Sequence, residues 1–372
     1  MATDEDLKAL SMLGGYLIFS ILQRRPSSKI LTLIDAGAPL WYQDGEGTSP
    51  LHAAAYIEDE ELVRVLIEKG ALWNAVDNLH NTAADIALSM NNEGCYRMIR
   101  DAGIRSELLL NLIASKPSFP ASIFLRAEDD TATGSTEAFL SSKLHYTRDK
   151  QGQEICLLRE GDKEVGVMMG WERDIMRETV KLLCADHPRL NDGLKILNVG
   201  FGLGIIDSFF QELSTSPALH VIIEPHQDVL EYMKSQGWYS KPNVKILEGK
   251  WQDYIDSPEL LAVGKFDVVY TDTFSEEYKE LHQFFKRLPA LVDGPESRFS
   301  FFNGLGATNV LFYDVYTNLA ELQLNDLGLD VTWKQLSVAQ KVTEDRWGGS
   351  LQYFALPFYQ LPVGRMRVAQ IP

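Results

Sequence analysis

Residues 195–206 read Lys195-Ile-Leu-Asn-Val-Gly-Phe-Gly-Leu-Gly-Ile-Ile206. A short apolar strand breaks into three alternating glycines, and a helical run over 205–213 follows. Strand, glycine turn and helix in that order form the ligand-binding unit of an open α/β sheet. Glycine lets backbone approach a ligand closely, and the helix N-terminus presents unpaired N–H groups to it. The spacing is G-x-G-x-G. The dinucleotide pattern G-x-G-x-x-G needs glycine at 205, where Ile205 stands. The turn therefore fixes the fold class more firmly than the ligand.

The α/β alternation continues beyond it. His220-Val-Ile-Ile-Glu224 is an apolar strand ending in a carboxylate about twenty residues past the glycines, where nucleotide-binding sheets grip a ribose diol. A helix is expected over 227–236. Val244-Lys-Ile-Leu-Glu-Gly-Lys-Trp-Gln-Asp253 reads as a third strand running into a turn, with Trp251 and Gln252 placed to stack on and bond to a purine. Phe266-Asp-Val-Val-Tyr-Thr-Asp-Thr-Phe274 is a fourth strand ending on Asp272. Helix 276–288, strand 299–303, helix 309–324 and strands 330–338 and 351–356 complete a doubly wound sheet with a closing antiparallel pair. Ligands sit at the carboxyl ends of such strands, where Gly200, Glu224, Trp251 and Asp272 fall.

The first third repeats itself. Asp35-Ala-Gly-Ala-Pro-Leu-Trp41 aligns with Glu68-Lys-Gly-Ala-Leu-Trp73, and Gly37, Gly70 and Gly103 share one period of about 33 residues. Ser49-Pro-Leu-His-Ala-Ala54 resembles the ankyrin signature T-P-L-H-x-A, with Thr82-Ala-Ala-Asp-Ile-Ala87 as its counterpart. Degenerate flanking units fit terminal caps of a stack. An all-α ankyrin-repeat domain is expected over 1–115, with His52 structural and the stack a protein-binding surface. A linker follows over 116–140, where Pro117 and Pro120 break regularity and Glu128–Thr136 is polar and turn-prone. Residues 141–372 form the catalytic domain, opening on a hairpin or lid over 143–160.

Composition excludes several partners. The net charge is −17, which repels nucleic acid and lipid headgroups and attracts a basic partner. It also serves solubility. Cys95, Cys156 and Cys184 lack paired spacing, which argues against a metal site or a disulfide framework and suits a reducing compartment. The apolar run 10–22 is too short to span a membrane and follows acidic residues, unlike a signal peptide. A protein of the cytoplasm and nucleus is expected.

Met168, Glu172 and Met176 recur at four-residue spacing and share a face if a helix begins that early. The residues alone favour a helix that buries its methionines and leaves Glu172 solvated. Overall, G-x-G-x-G with an acidic second strand end and Asp272 on the fourth fits a class I S-adenosylmethionine-dependent methyltransferase, a Rossmann-like sheet, better than a dehydrogenase. That cofactor has no pyrophosphate to place.

The blocks Val167-Met-Met-Gly-Trp-Glu172, Val199-Gly-Phe-Gly202, Ile222-Ile-Glu224, Glu248-Gly-Lys-Trp-Gln-Asp253, Asp272-Thr-Phe274 and His282-Gln-Phe284 resemble guanidinoacetate methyltransferase over about 164–360. Joined to an ankyrin region, they resemble the type IV protein arginine N-methyltransferases of fungi and plants. The resemblance implies methylation of the δ-nitrogen of arginine in a protein, with a large-subunit ribosomal protein as the substrate class. It assigns Glu172 and Asp272 to the guanidino group. It assigns Met168, Met176, Gly200, Phe201, Gly202, Leu203, Gly204, Ile205, Ile206, Glu224, Pro225, His226, Trp251, Gln252 and Asp272 to S-adenosylmethionine and its product S-adenosylhomocysteine. No metal is implied. Two departures stand out. Pro225-His226 replaces other residues after the second-strand glutamate, and Thr271-Asp-Thr-Phe274 replaces Tyr-Asp-Thr-Tyr, which removes a hydroxyl near the substrate.

Other readings stay open. A small-molecule guanidino methyltransferase would use the ankyrin region only as a partner platform. A non-catalytic module would have little reason to keep Glu172, Glu224 and Asp272 beside one cleft. Asp272 could also cap the next helix.

Overall fold

The structure is a computed structural model that describes residues 4–114, 131–161, 163–340, 347 and 350–367. The chain divides into two compact units, Met1–Ile123 with Val310–Leu319, and Phe124–Asn309 with Ala320–Pro372.

The first unit is helical. Its helices span Asp4–Leu22, Ser27–Asp35, Pro50–Tyr56, Glu60–Glu68, Ala83–Ser89 and Glu93–Ala114. Ala53, Ala54, Ala83, Ala84 and Ala87 are buried, so small side chains bring neighbouring helices close. Two capping boxes start the inner helices. Ser49 and Thr82 each accept an N–H from the third helical residue, and His52 and Asp85 reciprocate. His52 is structural, as expected. Its Nε2 donates to the Asn81 carbonyl at 3.0 Å and its Nδ1 lies 2.7 Å from Ser49 Oγ.

The second unit holds two sheets. Strands β1 (Leu144–Arg148), β2 (Glu154–Glu160) and β3 (Lys163–Met168) form an antiparallel meander. Strands β4 (Lys195–Val199), β5 (Leu219–Glu224), β6 (Val244–Glu248), β7 (Val268–Thr271) and β8 (Arg298–Phe301) are parallel. They are followed by β9 (Leu329–Ser337), β10 (Ser350–Leu351) and β11 (Phe358–Met366). The large sheet has the order β6-β5-β4-β7-β8-β11-β9, with β11 antiparallel to both its neighbours. Strand order reverses between β4 and β7, the position where such sheets open a crevice. The predicted doubly wound, Rossmann-like sheet and the all-α repeat unit are both present.

Three expectations are corrected. The closing pair is β9 with β11, because residues 358–366 offer nine register partners to β9. Of the expected strand 351–356, Leu351 instead pairs with β3 in the small sheet and the rest lacks regular structure. Residues 115–130 of the expected linker lie outside the described residues. Its later part is not linker, since Thr136–Ser141 is a helix with Phe139 buried against Leu158 and Val165. Finally, the helix Val310–Asp326, expected wholly within the catalytic domain, is divided between the units. Its first ten residues group with the repeat unit, where Leu311 and Val315 join the apolar core.

Candidate active site

A cavity of about 300 Å³ opens at the carboxyl ends of the parallel strands. Its wall takes Gly200, Phe201 and Gly202 after β4, Glu224 and Pro225 at the end of β5, Trp251 and Gln252 after β6, and Asp272 after β7. Met168 and Glu172 line it from the chain leaving β3. Residues about 100 positions apart in sequence therefore share one space because parallel strands end at one edge.

The glycine turn is built for close approach. Gly200 has φ +89°, and a Cβ there would lie 1.9 Å from the Asp272 carbonyl oxygen. No side chain fits, so the turn and the β7 end touch backbone to backbone. At Gly202, φ is +56° and a Cβ would crowd the Met168 sulfur at 2.8 Å. Behind the turn, Asn198 donates to the Gly200 carbonyl at 2.8 Å and to buried Asp207.

Glu224 is 5% exposed. Its Oε2 accepts the Phe201 N–H and its Oε1 the His226 N–H, each at 2.8 Å. Burial pushes its pKa up to about 7, against the pull of those N–H groups and of Gly202 N–H. Both oxygens keep lone pairs for a hydroxyl-bearing ligand.

Glu172 is 2% exposed and sits in a 3₁₀ turn, Gly170–Glu172, before the helix Arg173–Cys184. The expectation of one helical face through Met168, Glu172 and Met176 is overturned. Pairing of Met168 with Cys156 keeps 163–168 in the sheet, so the helix starts only at 173. Nor is Glu172 solvated. Its Oε1 accepts the Met169 N–H at 2.9 Å and the Tyr353 hydroxyl. Burial, then the charge of Asp272, raises its pKa well above the carboxylate range. Asp272 is raised as well, by burial and then by Asp207. Two carboxylates held near neutrality in one cavity are suited to binding a cation and taking up a proton. Asp272 does not cap the next helix, whose N-cap is Glu277.

Several expected contacts stand behind the wall instead of on it. Met176 is fully buried, and the Tyr270 hydroxyl donates to its sulfur at 3.3 Å. Leu203 donates its N–H to the Met168 sulfur at 3.1 Å. Gly204 caps the following helix, and Ile205 and Ile206 bury their side chains in its first turn. His226 supports Glu224 through its N–H and donates from Nε2 to the Phe139 carbonyl at 3.1 Å. Trp251 lines the cavity with its ring largely buried edge-on against Phe284 at 5.3 Å. A helix running in from an early start, or a side chain following its backbone to the ligand, is what spacing alone suggests. Strand pairing and helix direction redirect both.

The structure adds residues that spacing did not mark. Glu276 accepts from Trp251 Nε1 at 2.9 Å, from Gln252 Nε2 at 3.0 Å and from Thr273 Oγ1 at 2.7 Å, tying the β6 and β7 ends together. Phe139, Leu140, Phe274, Phe302 and Tyr353 complete the apolar wall. Tyr353 lies in the mostly apolar run Leu351-Gln-Tyr-Phe-Ala-Leu356, so no local signal separates it from core. Among the described residues no cluster of side chains suits a metal ion, and no helix is long and apolar enough to cross a membrane.

Comparison with known proteins places both parts of the chain in known families. A family model of ankyrin repeats in three copies matches residues 20–108, and the model of guanidinoacetate N-methyltransferase matches 160–357. Protein arginine N-methyltransferase 2 of Cryptococcus neoformans is 40% identical over 370 residues, 95% of either chain. The protein of that name from Emericella nidulans is 35% identical, over 88% of this chain and 90% of its own. That from Aspergillus oryzae is 35% identical, over 81% and 76%. Such a family and such a fold imply S-adenosylmethionine as methyl donor. With a guanidinoacetate N-methyltransferase-like unit joined to ankyrin repeats and relatives matching over nearly the whole chain, the chain belongs to the protein arginine N-methyltransferase 2 family.

Proposed function

We propose that the chain methylates the internal, δ-nitrogen of arginine residues in a basic protein, with large-subunit ribosomal proteins as the substrate class. The observation that carries this reading is the pairing of Glu172 and Asp272, both raised in pKa, on the wall of one cavity whose far strand end carries Glu224. A guanidinium is planar, cationic and a poor nucleophile because its lone pairs are delocalised. Carboxylates that bond its terminal N–H groups hold the positive charge there and leave electron density on the substituted nitrogen.

The residues present fit the methyl donor. Glu224 would hold the ribose hydroxyls, Gly200 and Gly202 would bring backbone alongside, and Met168 with Trp251 and Gln252 would flank it. When bound, S-adenosylmethionine supplies an electrophilic methyl group and leaves as S-adenosylhomocysteine. Glu172 and Asp272 then orient the guanidino plane, largely a positioning task. Asp272 takes the proton lost by the substituted nitrogen, a role its raised pKa favours.

A guanidino substrate with its own carboxylate suits the cavity less well. Among the described residues lining it Lys250 is the one cationic side chain, and it already pairs with Glu137 at 2.9 Å. The repeat unit supplies a surface for a protein partner. The test is mass spectrometry of acid-extracted large-subunit ribosomal proteins after incubation with labelled cofactor. δ-Methylarginine is expected. Label only on terminal nitrogens, or faster turnover of free guanidinoacetate, would reject the reading.

A further inference from the structure

We infer that Tyr353 is a positioning residue for Glu172, its hydroxyl hydrogen-bonding the charged form of that carboxylate and fixing it in the orientation that receives the substrate guanidinium. The inference rests on the proposed role of Glu172.

The two residues meet through topology. Strand β10 runs parallel to β3, pairing Ser350 with Glu164 and Leu351 with Val165. Both chains therefore leave the small sheet in the same direction. Tyr353 follows β10 by two residues, and Glu172 follows β3 through the 3₁₀ turn. Gly166 leaves room for the ring, since a Cβ there would lie 3.2 Å from Tyr353 Cε1. Trp347 packs edge-on to the ring at 4.8 Å and Trp171 lies 6.2 Å away, so the phenol is held from two sides.

The hydroxyl donates to Glu172 Oε1, the oxygen that also accepts the Met169 N–H. Among the described residues no partner reaches Oε2, which is left to a ligand. Tyr353 is also the one phenol among the described residues lining the cavity. The resemblance to guanidinoacetate methyltransferase implies that a hydroxyl is missing at Phe274. The Tyr353 hydroxyl enters the same cavity from a distant part of the chain.

The groups facing Glu172 act in opposite directions. Burial and Asp272, from the end of β7, oppose its ionisation. The Met169 N–H and the Tyr353 hydroxyl favour it. Tyr270 on β7 and Tyr353 itself are both held far above their ordinary range, so neither phenol competes for the role of anion. A hydrogen bond to the charged form is what keeps a carboxylate beside another carboxylate able to bind a cation.

The experiment titrates the full chain labelled with ¹³C at glutamate Cδ, with the Glu172 signal assigned by its loss in Glu172→Gln. Tyr353→Phe keeps the ring and should raise the midpoint by about one pH unit. Gly166→Ala, which crowds the ring, should shift it in the same direction. With acid-extracted ribosomal proteins as substrate, the rising acid limb of kcat/KM for Tyr353→Phe should move up equally. That is a roughly tenfold loss below the limb, recovered at high pH, with cofactor Kd unchanged. A wild-type midpoint, or a rate loss equal at every pH, overturns the inference. If Glu172→Gln is inactive while Tyr353→Phe titrates as wild type, only the role of Tyr353 falls. If Glu172→Gln methylates normally, the reading of Glu172 falls with it.

Discussion

Gly200 and Glu172 show how single residues set this site. Gly200 combines a left-handed backbone with a carbonyl where a Cβ would stand. Gly200→Ala should cost roughly 1–3 kcal/mol in strain before any ligand is considered, and should abolish cofactor binding by calorimetry. Retained binding at near wild-type stability would contradict the close approach. Glu172 presents the opposite case, a side chain kept at a cost. Its folded pKa lies above its ordinary value of 4.5, so the folded protein holds the proton more tightly than the unfolded chain. The stability this confers is full below about pH 4.5 and is lost as pH rises through the folded value. Glu172→Gln keeps an oxygen for Met169 N–H and the Tyr353 hydroxyl without the charge. It should raise stability by at least about 1 kcal/mol at pH 8 while removing activity, with the gain vanishing at about pH 4. Chemical denaturation at the two pH values checks this, and an equal effect at both would rule it out.

At the scale of elements, the repeat helices begin where their sequence says they should. Ser49 and Thr82 close reciprocal boxes that satisfy otherwise unpaired N–H groups. Thr82→Ala should destabilise the repeat unit by about 1 kcal/mol, read from urea unfolding of the full chain. No change in midpoint would mean the box is not holding the helix. His52 adds a pH dependence. Burial lowers its pKa below 6.5, so its contribution is present above that value and is lost as pH falls through the folded one. Elsewhere local pattern misled. The spacing of Met168, Glu172 and Met176 is helical, yet β2 claims 163–168 as strand. Residues 351–356 form a short, mostly apolar run that reads as a strand, yet the nine-residue match of 358–366 with β9 takes the place beside β8. Periodicity reports what an element could be, and pairing partners far along the chain decide which it becomes.

Across the whole molecule, charge and cavity point to the same class of substrate. The chain carries −17 overall, and the cavity wall gathers Glu172, Glu224, Asp272 and Glu276. Encounter with a basic protein should be steered by this field and screened by salt. KM for a basic protein substrate should therefore rise several-fold between roughly 0.05 and 0.5 M salt, while cofactor Kd changes little. Parallel kinetics and calorimetry test the contrast. A salt-independent KM would show that the charge serves solubility alone.

The sequence by itself determined the two architectures and the ends of the parallel strands that carry Gly200, Glu224 and Asp272. The 33-residue recurrence and the glycine turn are local patterns, legible because each repeat and each strand–turn–helix unit writes its own chemistry into a few adjacent residues. It also marked Glu224 and Asp272 as strand-end carboxylates, whereas Glu172, which the residues alone left solvated, came in through the resemblance to a known family. Only the tertiary structure decided which side chains reach the cavity. It moved Met176 and His226 behind the wall, drew the helix 136–141 out of an apparent linker, and brought the hydroxyl of Tyr353 to Glu172. Those outcomes depend on strand order and parallel pairing between residues far apart, and no stretch of adjacent residues encodes them.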